Sequence, residues 1–336
     1  MQKQTSTLTV HPAHAQDYII RGTILGLVAA IGYTAANVFL RFSTDVDPYW
    51  VSWVKAIPTV VIFGPMLFLR AMRSQALVPP VRPLVMLIAA AILGQVGGNV
   101  VFQWSLGTIG LALTVPICLG AMIMTGALSG WLCLKEQITW WTIASIVLLI
   151  SAVSVLSLGA PSAQASLADA AAHDPRMVAM GVVAAFFSGV SYALLGVAIR
   201  SAAQQACPAV TNVVIVGLAG VIVLLPICLT RSPLSQFFVL SGGSLGWMIA
   251  AGLANALAFI ALTKSLQLIG VIYVNALNAT QAAMAAVAGV AIFQEPPSAA
   301  LLWGVLLTAV GLGVMRRDRP DDEDIAAKVP DNQVSS

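Results

Sequence analysis

The chain has 336 residues, of which 59% are hydrophobic and only 9% charged, with a formal net charge of +3. An ordinary soluble domain is about 25% charged, so this composition excludes a soluble fold, which could not hide so much apolar surface. The small, dispersed positive charge also excludes nucleic acid as a partner, because most basic residues simply flank apolar runs.

Taken in chain order, residues 1–21 are polar and mixed and read as a cytoplasmic N-terminal segment. Apolar runs follow at 22–40, 49–69, 84–106, 111–134 and 141–159. A linker containing Ala, Ser and Asp spans 160–176, and five more runs lie at 177–199, 209–230, 244–266, 271–293 and 299–315. A charged cytoplasmic tail, 316–336, has a composition that predicts disorder. Each run approaches the roughly 20 apolar residues that cross a bilayer as a helix. The runs are continuously apolar, not alternating over about 10 residues, which favours helices over a barrel. The first run is followed by many others and reads as a retained helix, not a cleaved signal. The expected fold is therefore an all-α integral membrane protein of ten transmembrane helices.

With the N-terminus inside, twelve basic residues fall on the cytoplasmic side: Lys3, Arg21, Arg70, Arg73, Arg82, Lys135, Arg200, Lys264, Arg316, Arg317, Arg319 and Lys328. Only Arg41, Arg176 and Arg231 fall outside, and Lys55 lies within a span. That bias predicts both termini in the cytoplasm. The four cysteines, Cys118, Cys133, Cys207 and Cys228, show no C-x-x-C and no Cys/His ligand spacing, so neither a disulfide framework nor a metal site is expected.

The chain also repeats itself. Tyr33 and Arg41 recur 159 residues later as Tyr192 and Arg200. Pro65 and Arg70 recur at Pro226 and Arg231, an offset of 161, and Ser105-Leu106-x-x-Ile109-Gly110 recurs at an offset of 160 as Ser265-Leu266-x-x-Ile269-Gly270. Lys135-Glu136 recurs as Gln294-Glu295. Two five-helix repeats follow, 22–159 and 177–315. Five is odd, so the second copy inserts upside down relative to the first, the plan of many secondary transporters.

These landmarks give the chain a resemblance to the EamA-type drug/metabolite transporter superfamily, over roughly 22–159 and 177–315. Its carriers are Ser105 to Gly110, the matching stretch Lys264 to Gly270, and the glutamates that close the fourth and ninth spans in Leu134-Lys135-Glu136 and Phe293-Gln294-Glu295-Pro296. The resemblance implies a ten-helix carrier, often an exporter, that moves amino acids, nucleosides or other metabolites by alternating access. Such families carry a basic residue, usually Arg, early in the second helix. Here Lys55 takes that place, and its counterpart in the second half is apolar, near Val214.

The candidate substrate-binding residues are the polar side chains stranded in apolar runs. Lys55 costs about 2.5–3.5 kcal/mol in hydrocarbon, so it either anchors a carboxylate or phosphate from a wet cavity or snorkels to the outer interface. Gln95 and Asn99 are spaced i,i+4, with Gln103 another four on, and such a stripe turns away from lipid. Asn255 is its counterpart, out of exact register. Asn275, Asn278 and Gln281 share a broad helical face, to hydrogen-bond either a solute or a neighbouring helix. Tyr33, Asn37 and Tyr192, with Trp50, Trp53 and Trp104, suggest either an aromatic pocket or interfacial anchors. Glu136 and Glu295, at helix ends, read as structural or gating contacts. Pro116, like Pro58, Pro65 and Pro226, reads as a helix kink. Gly22 with Gly26, and Gly126 with Gly130, read as close-packing pairs.

No Asp, Glu or His lies in the middle of a span. Facilitated diffusion or exchange is therefore expected ahead of carboxylate-based proton coupling. The same lack argues against an intramembrane enzyme, and no phosphate-binding loop is present to drive transport with ATP. No cofactor is expected. The expected partners are a small-molecule substrate and membrane lipid, with a homo-oligomer left open. Lys55 favours anionic or zwitterionic solutes, with amino acids and related metabolites first. The function expected is a secondary transporter, an exporter, in a bacterial inner membrane; a channel or a non-transporting scaffold or sensor are the alternatives.

Overall fold

The structure, a computed structural model, describes residues 12–73, 78–158, 175–231, 242–293 and 298–317. Glu295, most of the linker and the charged tail beyond Arg317 lie outside the described residues. Within them the chain is helical and contains no strand. Eight described helices are long and apolar enough to cross a membrane, and two further apolar helices, Trp140–Leu156 and Ala299–Met315, are shorter.

The first half comprises α1 (Pro12–Arg41), α2 (Pro48–Met72), a third span made of α3 (Val81–Leu93), a π-helical turn (Gly94–Val100) and α4 (Val101–Ile109), then α5 (Leu111–Leu134) and α6 (Trp140–Leu158). The second half comprises α7 (Pro175–Ala203), α8 (Ala209–Arg231), α9 (Gly242–Leu268), α10 (Val271–Asn278), α11 (Thr280–Phe293) and α12 (Ala299–Arg317). Helix α1 begins ten residues before the apolar run that predicts it, because a helix can continue into water once nucleated. Asp47 starts α2 by accepting the Tyr49 N–H at 2.9 Å, with Pro48 in the first helical position.

Helices α2, α5 and α8 continue through Pro58, Pro65, Pro116 and Pro226. Regular α-helix is interrupted at two places without a proline, the π turn and Ala279, between α10 and α11. There the Ala279 N–H is shared between the Asn275 and Ala276 carbonyls, and the Thr280 hydroxyl takes the Leu277 carbonyl at 2.7 Å. This local tightening interrupts the helix without a proline.

Two pairs of equivalent helices, α2 with α8 and α6 with α12, pack antiparallel. Along α2 and α8, Arg231 sits 3.8 Å from Asp47 and 4.7 Å above the Tyr49 ring, and Trp53 donates to the Val221 carbonyl at 3.2 Å. Along α6 and α12, Ser145 donates to the Gly311 carbonyl at 2.7 Å, while Leu156 packs on Gly304. The reciprocal contacts match closely. Ser105 donates to the Gly181 carbonyl at 2.9 Å, and its repeat mate Ser265 donates to the Gly22 carbonyl at 2.8 Å. Ile109 and Ile269 then pack against Gly181 and Gly22 respectively. The repeated Ser-x-x-x-Ile motif thus performs one task twice, docking the third helix of each half onto the first helix of the other.

Large apolar side chains such as Phe68, Leu69, Trp140 and Trp303 face outward, as on a lipid-facing surface. Trp50 departs from the expected interfacial role. It is 4% exposed and meets Trp53 edge to face at 5.6 Å, because α2 turns this side towards the apolar cluster around Leu40, Val115 and Met248.

Candidate functional site

Between the helices lies a cavity of about 140 Å³. It borders both large apolar clusters, with Leu195, Ile199 and Val216 from one and Phe102, Val115 and Leu119 from the other. Nine of the binding candidates line it: Tyr33, Asn37, Lys55, Gln95, Asn99, Tyr192, Asn275, Asn278 and Gln281. Polar groups this far inside an apolar bundle have few other places to be satisfied.

The polar lining forms two hydrogen-bonded groups. In the first, the Lys55 ammonium donates to Asn99 Oδ1 at 2.7 Å, and the Tyr192 hydroxyl donates to the same oxygen at 2.7 Å. Asn99 Nδ2 donates to Gln95 Oε1 at 2.6 Å, and Gln95 Nε2 reaches the Val216 carbonyl at 2.8 Å. Lys55 is only 5% exposed, so its ammonium points into the bundle and does not snorkel to the interface. The π turn carries both Gln95 and Asn99. Gly98, beside Asn99, has no side chain, and a Cβ there would stand 2.7 Å from the Tyr192 ring, so this glycine lets Tyr192 reach the amide.

The second group is neutral. Asn37 Nδ2 lies 3.5 Å from Gln281 Oε1, Gln281 Nε2 donates to Asn278 Oδ1 at 3.1 Å, and Asn275 Nδ2 reaches the Met122 carbonyl at 3.4 Å. Asn275 occupies the space that a side chain at Gly126 would fill. Asn255 lines the cavity too, despite being out of exact register with Gln95 and Asn99. Gln103 does not join its predicted stripe; its amide is drawn to the Ser43 carbonyl at 3.4 Å, beyond the end of α1.

A separate charged assembly surrounds the α9–α10 junction. Helix α5 ends at Lys135 in the left-handed conformation, φ 56°, and the Glu136 N–H returns to the Gly130 carbonyl at 3.1 Å. That reversal aims the Glu136 carboxylate at the start of α10, where it accepts the N–H groups of Val271 at 2.7 Å and Ile272 at 3.0 Å. A carboxylate at a helix N-terminus satisfies otherwise unpaired donors and complements the helix dipole. On the other side of Gly270, Arg200 donates to the last carbonyls of α9, Leu266 at 2.6 Å and Gln267 at 2.9 Å. Arg200 reads in the sequence only as a topogenic charge. Its repeat relation to Arg41 was the available signal, but not one that reveals a helix to cap. Pro116 lies in an unbroken α5 near the cavity-lining Val115.

Among the described residues no cluster of His, Cys, Asp or Glu is suited to a metal ion. The cavity walls offer one cation, amides, hydroxyls and aromatic faces, a set suited to reversible binding.

A family model for the EamA-like transporter family matches the chain twice, over residues 20–158 and 179–317. A solved structure described only as "Crystal structure of protein" superposes with a TM-score of 0.66 at 16% identity, covering 87% of this chain and 96% of its own. At that identity the likeness speaks to the fold alone. No curated protein matches.

Proposed function

Since the chain belongs to the EamA-like transporter family and is an integral membrane transporter of the drug/metabolite transporter superfamily, we propose that it is a secondary transporter exporting a small polar metabolite by alternating access, with amino acids and related solutes the first candidates. The observation that carries this reading is the convergence of Lys55, Asn99, Tyr192, Asn37, Asn278 and Gln281 on one cavity. In this reading ten helices cross a bacterial inner membrane as two inverted repeats, with both termini in the cytoplasm. The two shorter helices, α6 and α12, complete the ten. Antiparallel packing of equivalent helices supports the inverted arrangement.

Alternating access needs two arrangements of nearly equal energy, and an inverted repeat supplies them by exchanging the conformations of its halves. Exchange or facilitated diffusion is the mode we favour, because the acidic residues described lie outside the cavity. The test is solute counterflow in proteoliposomes across amino acids, nucleosides, sugars and organic acids. Saturable exchange of labelled for unlabelled solute is the expected result, with a loss of at least tenfold in Lys55→Gln. Non-saturating flux would mark a channel. A folded protein that moves no member of the panel would sink the reading.

A further inference from the structure

The cavity is electrically one-sided. Lys55 brings a cation, and among its described lining residues there is no Asp or Glu to compensate it. Its partner Asn99 Oδ1 is a neutral amide oxygen, already shared with the Tyr192 hydroxyl, so it relieves hydrogen-bonding demand but does not neutralise a unit charge. An ammonium has three donors, and this contact uses one. The described acids, Asp17, Asp45, Asp47 and Glu136, lie outside the lining.

The neutral group extends the argument. The Gln281 oxygen faces Asn37, and the Asn278 oxygen accepts from Gln281. These amides can accommodate a neutral donor or acceptor on the solute, such as a carbonyl or an amide. A second ammonium is a different matter. It would bring another positive charge into a low-dielectric cavity that already holds one, where repulsion is weakly screened. Apolar walls from Leu119, Leu195 and Phe259 suit a hydrocarbon body beside the polar groups.

From this we infer that the substrate class is a monocarboxylate with an apolar body and a neutral polar group near the carboxylate, such as a 2-oxo acid or an N-acylated amino acid, in preference to a free zwitterionic amino acid. This rests on the transport reading and moves its first candidate from free amino acids to related carboxylates. The carboxylate seats at Lys55, and the neutral group meets the amides of α1, α10 and α11. Bound substrate and Lys55 then sum to zero charge, so the loaded cavity crosses between its two arrangements without an uncompensated ion.

The experiment is ligand-dependent thermal stabilisation of the full-length protein in detergent, using matched series on methyl, isobutyl and benzyl side chains. Each series contains the free amino acid, its N-acetyl derivative, the 2-oxo acid and the amino acid amide. The expected ranking puts an N-acetyl or 2-oxo compound at least tenfold tighter than the free amino acid, with no binding of the cationic amide. Lys55→Gln abolishes carboxylate binding, while Lys55→Arg, which keeps the charge, retains the ranking. Equal or tighter binding of the free amino acid overturns the inference, as does binding of the amide or an unchanged ranking in Lys55→Gln. Silence across all three series overturns it as well. None of these results touches the transport reading, which stands or falls on counterflow across the wider panel.

Discussion

The junctions at Ile109-Gly110-Leu111 and Ile269-Gly270-Val271 come from the same repeated sequence and make the same serine-to-glycine hydrogen bond across the molecule, yet their backbones differ. Gly110 has φ 76°, in the left-handed region, whereas Gly270 has φ −66°. At Gly270 the carboxylate of Glu136 caps the helix that starts there, and Arg200 caps the one that ends there. Equivalent junctions of the two halves thus differ in backbone conformation. The common part of the motif docks helices, and at Gly270 Glu136 and Arg200 hold the helix ends on either side.

Breaking the Glu136 cap tests that division most severely. Hydrogen bonds to a charged group contribute about 1.5–3 kcal/mol each and are not additive, so Glu136→Ala should cost about 3 kcal/mol in denaturant unfolding of the detergent-solubilised protein. Glu136→Gln, which retains one acceptor, should cost about half as much. An effect below about 0.5 kcal/mol for Glu136→Ala would mean that water caps α10 equally well and that the junction owes its state to Gly270 alone. Arg200→Ala ranks next, at about 2 kcal/mol, since it leaves two carbonyls at the end of α9 without their charged donor. If Arg200→Lys restores most of that loss, charge at the helix end matters more than the guanidinium fork.

The shared part of the motif gives a smaller, symmetrical prediction. Ser105→Ala and Ser265→Ala each remove a buried hydroxyl that donates to a glycine carbonyl, and each should cost about 1 kcal/mol. Equality within a few tenths is the sharper expectation. A pronounced inequality would show that the difference between the junctions reaches back into the docking contacts.

How much of this was readable in the sequence follows from where each signal resides. Ser105 and Ser265 announced themselves as repeat landmarks because an identical contact keeps identical residues at a fixed offset. Lys55, Asn99 and Asn278 were readable because a polar side chain in an apolar run must turn inward, and the structure brings them to one cavity. Trp50 was not, since an aromatic near a helix start fits either an interface or a core. Nor was the function of Arg200, because charge counting registers which side an arginine occupies and says nothing of the carbonyls it meets. The π turn and the Ala279 break were not readable, because neither is marked by a proline and the Ala279 break is held by local hydrogen bonds. Phe102, Cys118 and Met122 enter the cavity wall as ordinary apolar residues, and no periodicity separates them from packing.

Cys207 offers the most delicate probe of the α9–α10 junction. It lies in the α7–α8 loop, where its carbonyl accepts from Gln267 Nε2 at 3.0 Å and its thiol donates to Asn212 Oδ1 at 3.1 Å. Gln267 is one of the two residues whose carbonyls Arg200 holds, so the cysteine is tied to the junction through a single side chain. Burial pushes the Cys207 thiol up to about 12, so it is protonated at neutral pH. The sign follows: the raised value favours the folded state below the ordinary thiol range and loses that contribution as pH rises towards 12. In a chain whose other three cysteines are replaced by alanine, alkylation should be slow at pH 7. Its rate should rise about tenfold per pH unit past the ordinary thiol pKa without levelling off there, because only the thiolate reacts. Glu136→Ala should raise the rate at pH 7 and bring the plateau towards the ordinary value of about 8.5. If labelling is fast in the parent chain, the loop is open even with the Glu136 cap in place. If it is slow in both, the α9–α10 junction and the α7–α8 loop move independently, and Glu136 holds the start of α10 without reaching the helix that Arg200 ends.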